Sequence, residues 1–327
     1  MILAMVTGLV AGVLFGYVLQ RGRLCFHAIF AGMYERRFAL ARAWLLAVAL
    51  TSVGLTVLYA TPVGRGLNTG LPLNPVGNLL GGLIFGIGMA VAASCVSGLF
   101  FKLGSGMLGA LVGLGGWACG ELAASRVRLP GPTVLPGGID GTLPGVLGVP
   151  RAVVAIPFAA LVVVLGWRWR GGDHRQYAWQ WRWPFAGVAL AVVAVASWLL
   201  AGLGGASFGA STVGAVSGVA AGDVNWWLVT FLCGIVLGGF LAARTAGGWW
   251  LRGETRVRYL RLLFGGFLLG FGALLAGGCN LGHGLSGTAQ LNVSSWLVVV
   301  AFVVGIGLTR KAQRVFSAPP MLSEKTY

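Results

Sequence analysis

The sequence predicts an all-α polytopic membrane protein of inverted repeats, with about nine transmembrane helices and four short re-entrant helices. Three observations predict it. Hydrophobic residues make up 57% of the 327 residues and charged ones 9%, with a mean hydropathy of +0.87, whereas soluble domains carry about 25% charge. Nine apolar segments are each long enough to cross a bilayer at about 20 residues per span. A stretch of glycines ending in cysteine occurs twice, at one fixed offset.

The nine segments run 3–20, 39–60, 77–94, 106–126, 150–167, 184–203, 224–243, 261–278 and 293–310. Between the fourth and fifth lies the longest loop, 127–149, marked by Pro130, Pro132, Pro136 and Pro144. Four stretches, 24–34, 96–105, the region of 207–211, and 280–291, are too short to span yet apolar enough to dip into the membrane. Backbone broken at that depth is tolerated only where it is buried in protein or lines a cavity. The 56 glycines fit close helix packing and broken helices. No Lys or Arg precedes Arg21, so the N-terminus lacks the basic region of a cleavable signal peptide.

The net charge of +16 does not indicate nucleic acid, because the basic residues lie in short loops between spans. With nine spans, 19 of the 23 Lys and Arg fall on one side and four (Arg65, Arg126, Arg128, Arg151) on the other. That bias places the N-terminus outside and the C-terminus in the cytoplasm of a multi-pass protein of the cell inner membrane.

The repeat sets the organisation. Residues 81–95, GGLIFGIGMAVAASC, align without gaps to 265–279, GGFLLGFGALLAGGC, at an offset of 184. Gly81, Gly82, Gly86, Gly88, Ala92 and Cys95 each have an identical partner, and Gly98 matches Gly282. The first copy ends the third span and the second ends the eighth, so they cross in opposite directions. The expected division is a first inverted repeat at 1–126, a linker loop and connecting helix at 127–183, a second repeat at 184–310 and a cytoplasmic tail at 311–327. Broken helices meeting near the midplane of such repeats are a transport architecture.

Cys25, in GRLCF after the first span, stands in similar company to Cys95 and Cys279. Its counterpart in the second half falls near Ser207–Ser211, where no cysteine occurs. Cys119 and Cys233 lie mid-span without a repeat partner and read as small buried hydrophobes. His174 sits in a basic loop and reads as solvated. The three motif cysteines with His27 and His283 offer soft metal ligands, but no Cys-x-x-Cys or His-x-x-x-His pair occurs, and neither a metal nor a cofactor is expected. Thiol catalysis, helped by Arg23, His27 or His283, stays open as an alternative. Asp and Glu number only seven, and Glu121 alone falls well within a span, near its end and paired. Cation pathways need carboxylates, so an anion or neutral solute is favoured. Protonated thiols are weak, polarizable donors, and half-helix N-termini and bare glycine N–H groups add positive potential. Together these suit a soft anion that must also be released. No Gly-x-x-x-x-Gly-Lys-Ser/Thr motif occurs.

Gly22-Arg23-Leu24-Cys25-Phe26, Gly86-Ile87-Gly88 leading to Ser94-Cys95, and Gly270-Phe271-Gly272 leading to Gly277-Gly278-Cys279 resemble the YeeE/YedE sulfur-transport family over nearly the whole chain. The resemblance implies an hourglass-shaped thiosulfate-uptake protein whose central cysteines, here Cys25, Cys95 and Cys279, pass the anion along by S–H hydrogen bonds. Ser94, Gly278, Asn280, His27 and His283 complete the expected substrate path. It also implies a small sulfur-carrier partner resembling TusA on the cytoplasmic side; the other partner is membrane lipid. Two alternatives remain: a membrane thiol enzyme relaying sulfur as a persulfide to a carrier, and a transporter of a selenium compound, to which some family members are linked.

Overall fold

The computed structural model describes residues 1–67, 70–127, 129, 131–168 and 177–317. Arg128, Pro130, Arg170, Asp173, His174, Arg175, Glu324 and Lys325 lie outside the described residues. Among the described residues thirteen α-helices follow in chain order: α1 (Ile2–Gly22), α2 (Phe26–Tyr34), α3 (Ala39–Tyr59), α4 (Pro75–Ala92), α5 (Val96–Gly104), α6 (Leu108–Ala124), α7 (Leu143–Leu147), α8 (Arg151–Arg168), α9 (Trp183–Leu203), α10 (Ala215–Ala221), α11 (Trp226–Thr245), α12 (Arg256–Ala276) and α13 (Val293–Ser317). Among the described residues no strand forms. Seven helical stretches, beginning at Ile2, Ala39, Pro75, Trp183, Trp226, Arg256 and Val293, are long and apolar enough to cross a membrane, and α6 and α8 are shorter apolar helices. All nine expected segments are thus helical, and the protein is a polytopic all-α membrane protein. Residues 311–317, expected to begin a polar tail, instead continue α13.

Helix starts carry local signals. Pro75 opens α4 behind Asn74, whose side chain accepts the Gly77 N–H, and Asn225 and Thr255 cap α11 and α12 in the same way. Packing between helices rests on small residues, as expected where lipid supplies no hydrophobic drive between them. At the α4–α12 crossing a Cβ on Gly88 would come within 2.9 Å of Gly265 O, Leu268 Cβ and Leu269 N. Gly81 faces Gly272 and Ala276 there, so α4 and α12, which carry the two copies of the repeat, run antiparallel. Gly12 and Gly16 of α1 face Phe231 and Ile235 of α11, so those two run parallel. By contrast, Gly22 of α1 lies against Ala186 of α9 and Thr7 against Gly204, so α1 and α9 run antiparallel.

The four short stretches differ between the halves. In the first half α2 and α5 are regular nine-residue helices. In the second half an irregular loop at 206–214 precedes the seven-residue α10, and Gly282–Gly287 forms a π-helical turn. Glycines at 282, 284 and 287 weaken α-helical propensity in that turn, and the Ser286 N–H reaches the Leu281 carbonyl at 2.8 Å, five residues back. Cys119 and Cys233, read from sequence as buried, are both exposed. They lie among other exposed residues of α6 and α11, such as Leu111, Gly115 and Leu237.

Candidate functional site

The four helices that lead into the short stretches end in the same way. At the C-termini of α1, α4, α9 and α12 a residue with left-handed backbone follows the helix: Arg23 (φ 54), Ala93 (φ 46), Gly205 (φ 76) and Gly277 (φ 75). Each N–H bonds back three residues, and the next N–H bonds back five, to Leu19, Met89, Ala201 and Ala273 respectively. This is a Schellman cap, and the same pair of bonds behind a left-handed residue also ends α2, α5, α7, α10 and α11. Two residues beyond the left-handed residue stand Cys25, Cys95, Ser207 and Cys279. The reversal sets the next residues at the mouth of the following element. Arg23 and Ala93 carry side chains in a conformation that favours glycine, a cost of about 1–2 kcal/mol each.

The caps of α1 and α4 meet. Cys25 Sγ lies 3.5 Å from Cys95 Sγ, and Cys95 Sγ accepts the Phe26 and Gly98 N–H groups, both at 3.3 Å. The N-termini of α2 and α5 therefore converge on one sulfur, and their dipoles place positive potential there. From Cys95 Sγ a chain of polar atoms continues. Ser97 Oγ is 3.5 Å away and accepts a 2.7 Å hydrogen bond from Asn280 Nδ2. Asn280 adjoins Cys279, whose sulfur accepts the Gly282 N–H at 3.4 Å. Cys95, Ser97, Cys279 and Asn280 are fully buried, and Cys25 is 6% exposed. The neck is closed, and the Asn280 Oδ1 atom within it has no hydrogen-bond partner.

A cavity adjoins each end of the neck. One, of about 430 Å³, is lined by Cys25, Arg23, His27, Lys102, Arg37 and Arg310, among others. The other, of about 340 Å³, is lined by Ser207, Ser211, Gly277, Gly282 and the start of α11. The first lies where α1 and α4 end, the second where the antiparallel α9 and α12 end. They therefore open at opposite ends of the bundle, joined by the thiol neck.

Other expected residues fall into distinct roles. Ser94 Oγ accepts a 2.9 Å hydrogen bond from Lys102 Nζ. His27 lines the larger cavity. His283 is fully buried, with Nδ1 2.9 Å from Ser295 Oγ and Nε2 2.9 Å from the Ala276 carbonyl, so it braces the end of α12. Gly278 leaves room for that ring: a Cβ there would sit 2.6 Å from His283 Cδ2. Glu121, whose span-end pairing was expected with an unnamed partner, is fully buried, and its Oε1 accepts the N–H groups of Gly214, Val216 and Ser217 and the Ser217 hydroxyl. It ties the loop before α10 to α6. Among the described residues no group of three or more His, Cys, Asp or Glu could hold a metal.

Lys102 is the residue that sequence reasoning passed over. It stands seven places after Cys95, two helical turns on the same face of α5. Its ammonium bonds Ser94 and, at 3.5 Å, the Ala93 carbonyl. No carboxylate pairs with it among the described residues, since Glu35 pairs with Arg37 and with Arg310 at 2.6 Å.

A model of a protein family described as Sulphur transport matches residues 21–308. The chain belongs to this sulphur-transport family. Its curated relatives include the thiosulfate transporter TsuA of Spirochaeta thermophila, 34% identical over 91% of this chain and 96% of the relative. The thiosulfate transporter TsuA of Escherichia coli K12 is 28% identical, with 92% of each chain covered. The probable transporter YedE of the same organism matches at 36% identity, over only 23% of this chain and 19% of its own length. The match from residue 21 to 308 takes in the breaks that carry Cys25, Cys95 and Cys279.

Proposed function

We propose that this protein takes up thiosulfate across the cytoplasmic membrane, passing the anion through the closed neck by hydrogen bonds from the thiols of Cys25, Cys95 and Cys279. The observation that carries the reading is the convergence of the three break cysteines between two cavities: Cys25 and Cys95 sulfurs 3.5 Å apart, and Cys279 beside the Asn280 that bonds Ser97. The protein is a transporter and not an enzyme. Residues 1–126 and 184–310 act as inverted repeats joined by 127–183, a division supported by the antiparallel α4 and α12. The basic cavity at Arg23 and Lys102 is the cytoplasmic one, in keeping with the 19-to-4 placement of Lys and Arg. There a small sulfur carrier resembling TusA collects the anion.

A protonated thiol gives up less on release than a full counter-charge would. That favours turnover over tight capture. The test is uptake of radiolabelled thiosulfate into proteoliposomes by wild type and Cys279→Ala, with sulfate and selenite as competitors. Saturable uptake abolished by Cys279→Ala supports the reading. No uptake by folded wild type overturns it, and selenite outcompeting thiosulfate would redirect it to a selenium oxyanion.

A further inference from the structure

We propose that Cys25 and Cys95 form a peroxide-sensitive switch: oxidation joins them in a disulfide that locks the neck, and reduction reopens it. The proposal rests on the thiosulfate reading above and adds a regulation of the same site.

The first argument is position. The two sulfurs lie 3.5 Å apart, and a disulfide holds them at about 2.05 Å, so they need approach by only about 1.5 Å. Cys95 Sγ also accepts the Phe26 N–H at 3.3 Å, which puts it against the backbone that follows Cys25. Both residues are N-caps of the short helices they precede, α2 and α5. Gly98 keeps the approach clear, since a Cβ there would lie 3.0 Å from Cys25 Sγ and 3.1 Å from Cys95 Sγ.

The second argument is access. Cys25 lines the 430 Å³ cavity with Arg23 and Lys102, whereas Cys95 is fully buried. A small oxidant entering that cavity meets Cys25 first, with Cys95 directly behind it. The starts of α2 and α5 and the Lys102 ammonium stabilise the negative charge that builds on sulfur as its proton leaves. The second half has no such pair: no cysteine stands in the matching stretch 207–211, and Cys279 Sγ accepts the Gly282 N–H. The switch therefore belongs to the end of the neck at the basic cavity.

The third argument is chemical. The Cys25 sulfur attacks one oxygen of hydrogen peroxide. An S–O bond forms, the O–O bond breaks, and the departing hydroxide takes the thiol proton as water, leaving Cys25 as the sulfenic acid. The Cys95 sulfur then attacks the Cys25 sulfur. The S–S bond forms, the S–O bond breaks, and the departing hydroxide takes the Cys95 proton as a second water. The two thiols together lose two electrons, which the peroxide gains. A small dithiol reverses the link by exchange and is itself left as a disulfide. The link removes two S–H donors and ties the starts of α2 and α5 together across a neck that must part for an anion.

The test uses full-length Cys119→Ala/Cys233→Ala protein in proteoliposomes, so that Cys25, Cys95 and Cys279 are its remaining cysteines, with hydrogen peroxide as the oxidant. Mass spectrometry is expected to show the Cys25 and Cys95 peptides joined, with two hydrogens lost. Thiosulfate uptake is expected to fall about tenfold once about nine-tenths of the protein is linked, and dithiothreitol to restore it to within about twofold. The wild type, whose five cysteines fall in separable peptides, serves where the double variant fails to fold. Free thiols at both positions after peroxide, oxidation to a sulfinic acid that dithiothreitol leaves in place, or undiminished uptake by linked protein each overturn the switch alone. Absent uptake by untreated protein overturns the thiosulfate reading and the switch with it.

Discussion

Replacing Gly98 by alanine tests the neck directly, because the added methyl lands on the thiols. Its contacts would lie at 2.8, 3.0 and 3.1 Å from Ser94 Oγ, Cys25 Sγ and Cys95 Sγ, where non-bonded atoms rest at about 3.5–4.0 Å. None of the three is free to yield at no cost. Cys95 Sγ holds two backbone N–H groups, and Ser94 Oγ holds the Lys102 ammonium. Overpacking of this kind costs about 1–3 kcal/mol. Alanine's greater helix propensity returns about 1 kcal/mol to the fold, so the variant folds with a melting temperature lowered by a few degrees. Nothing comparable is returned to the path, because the thiols themselves are displaced. Charged to passage, about 1–3 kcal/mol is a fall of roughly five- to 150-fold in rate. The assay is initial-rate thiosulfate uptake into proteoliposomes, beside Gly115→Ala, whose Cβ meets nothing within 4 Å. Wild-type uptake by Gly98→Ala would refute passage between Cys25 and Cys95.

Lys102→Met is expected to cut uptake at least tenfold and to flatten its dependence on ionic strength, with partial recovery in Lys102→Arg; a salt dependence equal to wild type would remove the lysine from the path. Glu121→Ala leaves four half-buried donors without their acceptor and should cost about 1–3 kcal/mol, read as lowered expression or melting temperature. Glu121→Gln keeps an acceptor oxygen and should retain both uptake and its pH profile, whereas an altered pH profile would make Glu121 a proton-coupling group instead of a brace. The Cys119→Ala/Cys233→Ala pair should leave uptake within about twofold, since both residues are exposed.

The spans and the placing of three cysteines at helix breaks were legible because each rests on a strong local signal. Twenty apolar residues have few alternatives to a membrane helix, and a cysteine repeated at an offset of 184 stands out even in a glycine-rich chain. Side-facing was not legible. Cys119 and Cys233 sit on helices apolar all round, so no periodicity separates a packed face from one turned to lipid. Lys102 was hidden by its count as a loop charge; its seven-residue spacing from Cys95 was the available signal, and it becomes informative only once 96–104 is known to be a helix capped by Cys95. The partners of Glu121 were out of reach because Gly214, Val216 and Ser217 lie more than 90 residues away.

From the sequence, Ser207 was reached only as part of a stretch without a cysteine, and the reason bears on how the neck is built. Sequence repeats are found by matching letters, whereas the device repeated here is a backbone reversal that any residue can follow. Leu24-Cys25, Ser94-Cys95, Ala206-Ser207 and Gly278-Cys279 share little as letters, yet each pair follows one left-handed residue and one pair of reversed hydrogen bonds. Because the cap fixes the position and leaves the side chain free, one fold can hold sulfur at three positions and oxygen at the fourth, and a cation at Lys102 where the second half has Ser286. That freedom lets two halves of like backbone differ in charge. A symmetric path would bind an anion equally from both sides. Four cations line one cavity and none the other, so the field across the neck has a direction, along which the proposed function has the thiols pass the anion without holding it.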